Sequence, residues 1–159
     1  MKTGRLILIA SCLVAACSSP MPEAPKSKAE ARKPPPEEKV QLSTAQSLSS
    51  YQRELAQHIS QANAGKVYAE RPQALLRAVI VLKYLLNADG KLLHTEIVRS
   101  NHNKGAETTA LSSLNNAAPF VRPPAHLLRN GKLELFETWL FNDDGRFQLR
   151  TIALPQQAE

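Results

Sequence analysis

The stretch Ala78-Val79-Ile80-Val81-Leu82-Lys83-Tyr84-Leu85-Leu86, followed by Asn87-Ala88-Asp89-Gly90, decides the fold. Residues 76–86 are rich in β-branched and large apolar side chains. Ala78, Ile80, Leu82, Tyr84 and Leu86 alternate with Val79, Val81, Lys83 and Leu85, so both faces are largely apolar. A strand of that kind belongs in the middle of a sheet. Asn, Asp and Gly accept positive φ, so residues 87–90 predict a turn, and the alternation over 92–100 predicts a returning strand. The two strands make a β-hairpin.

Upstream, Leu48, Tyr51, Leu55, Ile59 and Ala62 recur at intervals of three and four, while Gln52, Arg53, Gln57 and Gln61 fall on the opposite side. This spacing predicts an amphipathic helix, with the serines at 47–50 as its cap and Gly65 as its stop. Downstream, Ala106, Ala110, Leu111, Leu114, Ala117 and Ala118 form a second, small-faced helical stripe that Pro119 ends. Phe120-Val121-Arg122-Pro123-Pro124 is extended, because a residue before proline is pushed out of helical geometry. Asn130-Gly131 turns the chain into 132–141, where Leu133, Leu135, Trp139 and Phe141 share a face. Asn142-Asp143-Asp144-Gly145 is a further turn, and Phe147, Leu149, Thr151 and Ala153 suggest a fourth strand. The expected class is α+β: a small α-β-β-α-β domain, with this extra strand at its end, whose antiparallel sheet of three to four strands packs on two helices.

Three features coincide: the hairpin with Asp89-Gly90 at its tip, the helix carrying Glu107-x-x-Ala110-Leu111, and Pro119-Phe120-x-x-Pro123-Pro124 before a last strand. The combination resembles the C-terminal domain of the TonB and TolA cell-envelope proteins over roughly residues 51–141. The resemblance implies a domain that binds other envelope proteins, with a sheet edge that receives a partner peptide. Glu107 stands where that pattern usually has an aspartate, and it keeps a negative charge at the helix N-terminus, which the helix dipole favours.

Lys2 and Arg5, the apolar run Leu6-Ile7-Leu8-Ile9-Ala10, and Leu13-Val14-Ala15-Ala16-Cys17 resemble a bacterial lipoprotein signal peptide. Cleavage is expected between Ala16 and Cys17, with diacylglycerol on the Cys17 thiol and further acylation anchoring the chain. The apolar stretch is too short to span a membrane, which takes about 20 residues. TonB- and TolA-like transducers begin instead with an uncleaved inner-membrane helix that couples to a motor, so direct energy transduction is not expected. Ser18 follows the lipidated cysteine where aspartate would favour inner-membrane retention, so the expected address is the outer membrane, facing the periplasm.

The expected organisation is therefore a signal peptide at 1–16, a tether at 17–40 and a domain at 41–159. Six of the eleven prolines (Pro20, Pro22, Pro25, Pro34, Pro35 and Pro36) lie in the tether among Lys, Glu and Ala, with almost nothing large and apolar to bury. In extended proline-rich geometry it would reach roughly 70 Å.

The chain carries 20 Lys and Arg against 14 Asp and Glu, a formal charge of +6. Removing Lys2 and Arg5 leaves +4, scattered along the chain. That balance does not point to nucleic acid, and favours anionic lipid or acidic protein surfaces. The two cysteines are Cys12, inside the signal, and Cys17. The domain itself has none, which excludes disulfides and thiolate metal sites there.

No catalytic constellation stands out. His58, His94, His102 and His126 lack the i, i+4 pairing of helical metal ligands. Ser100, His102 and the Asp143-Asp144 pair lack nucleophile-elbow glycines around the serine. Asp89 and Glu96 share a hairpin with no sign of a cleft, and Asp143-Asp144-Gly145 lacks the spaced ligands of a calcium loop. Trp139 and Tyr84 read as core. No enzyme, cofactor or metal is expected.

The expected function is a tethered periplasmic interaction module that binds a periplasmic or outer-membrane protein by strand addition. The candidate edges are the outer strand, through Phe147, Leu149 and Thr151, or the hairpin strand around 93–97. The alternatives are a structural or assembly lipoprotein that self-associates, a TonB-type transport accessory and, last, a small periplasmic enzyme.

Overall fold

The computed structural model describes residues 40–158. Ala16, Cys17 and all of the expected tether except Val40 lie outside the described residues.

The described elements run α1 (Leu48–Ala62), β1 (Ala78–Asn87), β2 (Leu92–Arg99), α2 (Lys104–Asn116), β3 (Lys132–Phe141) and β4 (Phe147–Leu149), with single 3₁₀ turns at Ala64–Lys66 and Ala125–Leu127. The four strands form one sheet in the order β2-β1-β3-β4, every neighbour antiparallel. The α+β architecture with two helices and a four-stranded antiparallel sheet is as the sequence pattern predicts.

α1 starts where its serines cap it. The Ser50 N–H donates to Ser47 Oγ and the Ser47 N–H donates to Ser50 Oγ, both at 3.1 Å. This reciprocal box uses serine where glutamate or glutamine is usual, and it satisfies two otherwise open donors. Tyr51, Leu55, Ala56 and Ile59 are buried, whereas Leu48 and Ala62 are exposed. The helix ends at Ala62, short of Gly65, because Asn63 intervenes as its cap. Its buried amide donates to Ile59 O at 2.8 Å and to Ser113 O at 2.9 Å, tying α1 to α2.

α2 is capped by Asn103, whose side-chain oxygen accepts from the Ala106 N–H at 3.1 Å. Ala106, Ala110 and Leu114 present a small buried face that lets the helix lie close on β1 and β2. Ser113 belongs to that face too: its hydroxyl accepts from the Trp139 indole N–H at 2.9 Å and donates to Ala110 O at 2.9 Å. The buried indole is thereby satisfied, and β3 is registered against α2.

The core lies between the helices and one face of the sheet. Ala78, Ile80, Leu82, Tyr84 and Leu86 of β1 are buried there, opposite Phe141, Trp139, Glu137, Leu135 and Leu133 of β3. The other face carries the half-buried Val79, Val81, Leu85 and Leu140 and the exposed Phe136.

One local expectation needs correction. The fourth strand stops at Leu149, because the Ile152 and Ala153 N–H groups both turn back to Leu149 O, so Thr151 and Ala153 are not in the sheet. Leu133, Leu135, Trp139 and Phe141 share the core face of β3 as expected, and Glu137, 5 % exposed, lies among them.

Candidate functional site

A sheet edge accepts a partner strand only if its backbone N–H and C=O groups are free. The two edges differ sharply in this respect.

At β4, residues 67–70 occupy the outer side. Val67 bridges Phe147 in parallel fashion, and the Tyr68 N–H donates to Phe147 O at 2.9 Å. The Gln148 amide donates to Tyr68 O at 2.6 Å and also to Glu70 O. The Arg146 guanidinium sits 4.7 Å from the centre of the Tyr68 ring, a cation–π contact that helps hold the segment. Phe147 and Leu149 are fully buried, and the half-buried Thr151 directs its N–H toward Glu137 Oε1 at 3.4 Å. The outer strand expected to capture a partner through Phe147, Leu149 and Thr151 is therefore neither exposed nor open. Its side chains build the core, and irregular chain covers its backbone.

At β2 the situation is the reverse. This strand is eight residues long and lies at the end of the sheet. Among the described residues, no loop or side chain hydrogen-bonds the backbone of Leu92–Arg99 from the outer side. Its register to β1 runs Arg99 to Val81, Ile97 to Leu82, Glu96 to Lys83, Thr95 to Tyr84, His94 to Leu85 and Leu92 to Leu86. Val98 and Leu93 are skipped, so each is the extra residue of a β-bulge. Bulges re-aim side chains. Leu93 and Val98 are 47 % and 43 % exposed, two apolar positions bracketing the regular segment 94–97.

The regular segment carries charge. Lys83 Nζ lies 2.7 Å from Glu96 Oε2, and this contact holds the Glu96 carboxyl below, and the Lys83 amine above, their ordinary titration ranges. His94 is exposed on the same strand. Such charges and bulges guard an edge against indiscriminate pairing while leaving it accessible.

The residues considered for chemistry are tied into structure. Ser100 donates to Glu107 Oε1 at 2.6 Å and accepts from the His102 N–H at 2.8 Å, which makes it a brace for the start of α2. That bond, with Lys104 at 2.9 Å, holds the Glu107 carboxyl below its usual range. Asp144 binds the Arg146 side chain within its own turn. His58 Nε2 is 2.7 Å from Ala117 O, and its ring meets Phe120 edge-on. It lines a groove of about 620 Å³ of mixed polar and apolar character with Glu54, Gln57, Gln61 and Asn116, but Glu54 is itself engaged by the Ser43 hydroxyl. Among the described residues, no group of three or more His, Cys, Asp or Glu is placed to hold a metal ion, and no helix is long and apolar enough to cross a membrane.

The geometry thus defines a small α+β domain with helices on one sheet face and one open edge. No protein-family model matches the chain, and no curated protein or solved structure matches it either.

The β2 edge is one of the two candidates legible in the sequence. The bulges are not legible there, because a bulge is a mismatch between two strands and has no signature in either alone.

Proposed function

We propose that this chain is an envelope-tethered protein-interaction module that binds an extended segment of another periplasmic or outer-membrane protein alongside β2, without transducing energy itself. The observation that carries this reading is the eight-residue edge strand whose outer backbone has no partner among the described residues. Main-chain hydrogen bonds along it would supply affinity, and contacts to Leu93 and Val98 would supply selectivity. The lipoprotein-like signal before Cys17, Cys17 itself and the proline-rich segment after it supply an anchor and reach, and the TonB- and TolA-like motif set agrees with a docking role.

The test is site-specific photo-crosslinking in intact cells, with the probe at Val98 or, as a control on the helix side, at Gln57. A single defined heterologous adduct is expected from position 98, lost on Leu93→Lys with unchanged circular dichroism. Equal adducts from both positions, or adducts indifferent to Leu93→Lys, would remove β2 from the reading. Cys17→Ser should move the protein from the membrane to the soluble periplasmic fraction.

A further inference from the structure

We infer that β2 also pairs with β2 of a second copy of this chain, about a two-fold axis that passes midway between the two copies of Thr95. The inference rests on the reading of β2 as a docking edge and adds a definite occupant to it.

A two-fold axis perpendicular to the sheet keeps the helix-covered face of both copies on the same side. Only residues of like facing can then oppose one another, so some residue must stand directly opposite its own copy across the axis. Thr95 and Ile97 face the core side, opposite Tyr84 and Leu82, whereas His94 and Glu96 face the open side, opposite Leu85 and Lys83. Four centres lie within the regular segment. Centring on Glu96 sets carboxylate against carboxylate, and centring on His94 sets imidazole against imidazole. Centring on Ile97 places Glu96 against Val98 and Thr95 against Arg99.

Centring on Thr95 is self-complementary. Thr95 meets Thr95, and each His94 meets the Glu96 of the other copy. Threonine pairs and imidazole–carboxylate contacts across strands each favour association. Each Glu96 would then lie between the Lys83 of its own chain, already 2.7 Å away, and the His94 of the other. The two sheets would continue as one, and the edge would be shielded whenever no other partner occupies it. Self-pairing and capture of a different protein are mutually exclusive on this geometry.

Charge exchange tests the register. In His94→Glu, the introduced carboxylate of each copy would face Glu96 of its mate. In Glu96→Lys, the introduced amine of each copy would face His94 of its mate. Sedimentation equilibrium on the full-length chain should show a concentration-dependent dimer for the wild type. Each variant alone should dimerise about tenfold more weakly, while an equimolar mixture should recover dimers, because each cross-strand contact again sets a carboxylate against a nitrogen donor. A wild type that stays monomeric up to about 1 mM, or a mixture no tighter than its components, overturns the inference. The crosslink from Val98 to a heterologous protein reads the docking role separately: its loss with dimerisation intact would count against that role alone, and its retention with dimerisation absent would count against self-pairing alone.

Discussion

The backbone N–H of Phe120 donates to the carbonyl oxygen of Gly90 at 2.9 Å, and a Cβ on Gly90 would lie 2.0 Å from the Phe120 oxygen. The hairpin tip and the proline-rich segment before β3, 30 residues apart in the chain, are thereby clamped backbone to backbone. The fully buried Phe120 ring packs near Tyr84 and His58, so the clamp also seals one end of the core. Gly90 has φ of 78°, a conformation that side chains other than glycine's strain to adopt.

Gly90→Ala should therefore destabilise the domain by about 3 kcal/mol, combining the left-handed backbone cost with displacement of the Phe120 carbonyl. Gly131 is the internal control: its φ is 71° but nothing lies within 4 Å of an added Cβ, so Gly131→Ala should cost only about 1 kcal/mol. Urea denaturation of both variants measures the difference. Equal losses would mean that the close approach to Phe120 contributes nothing.

Glu137 gives a pH-dependent prediction. Burial pushes its carboxyl above the usual range, despite hydrogen bonds from the Thr138 N–H at 2.7 Å and the Thr151 N–H at 3.4 Å. The folded chain therefore keeps this proton at pH values where the unfolded chain, with an ordinary value of 4.5, has released it. More protons are bound in the folded state, so this group's contribution to stability is full below 4.5 and is lost as pH rises through the elevated folded value. Glu137→Gln keeps an oxygen that accepts from both amides and cannot ionise. Relative to wild type, the variant should gain stability as pH rises above 4.5, the gain levelling off above the elevated folded value. Parallel denaturation curves of the two proteins across that range would show instead that burial of the carboxyl is unimportant.

Gln148 tests why β4 is closed. Its amide holds Tyr68 O and Glu70 O while its residue is 6 % exposed. Gln148→Ala should cost about 1 kcal/mol, since two partly buried hydrogen bonds to the backbone of residues 68 and 70 are lost. The Tyr68 amide, bonded to Phe147 O, should exchange with deuterium markedly faster, reporting release of residues 67–70. Association through β2 should be unchanged, because the two edges lie at opposite ends of the sheet.

Much of this architecture is legible because it is locally encoded. Two-residue alternation marks β1, β2 and β3, and the 3.6-residue stripes mark both helices. Asn130-Gly131 forms its turn with φ values of 52° and 71°, as the dipeptide suggests, between Arg129 and Lys132 that exchange hydrogen bonds at 2.8 and 3.0 Å. Glu137 escapes a sequence reading because a lone carboxylate in a strand usually faces water. Its partners come from the backbone beside it and from a turn that the alternating pattern extends into strand.

The candidate site is legible only in part. Phe147, Leu149 and Thr151 look like an exposed outer strand because they alternate. Nothing local announces that residues 67–70, with no strand pattern of their own, run along that strand and occupy its hydrogen bonds. Periodicity and turn chemistry act within a few neighbours, and they were enough to set the elements, their order and most of the residues facing the core. Which edge of the sheet stays open depends on contacts between distant parts of the chain: Gln148 finds its acceptor at Tyr68, 80 residues away, and β2 finds none among the described residues.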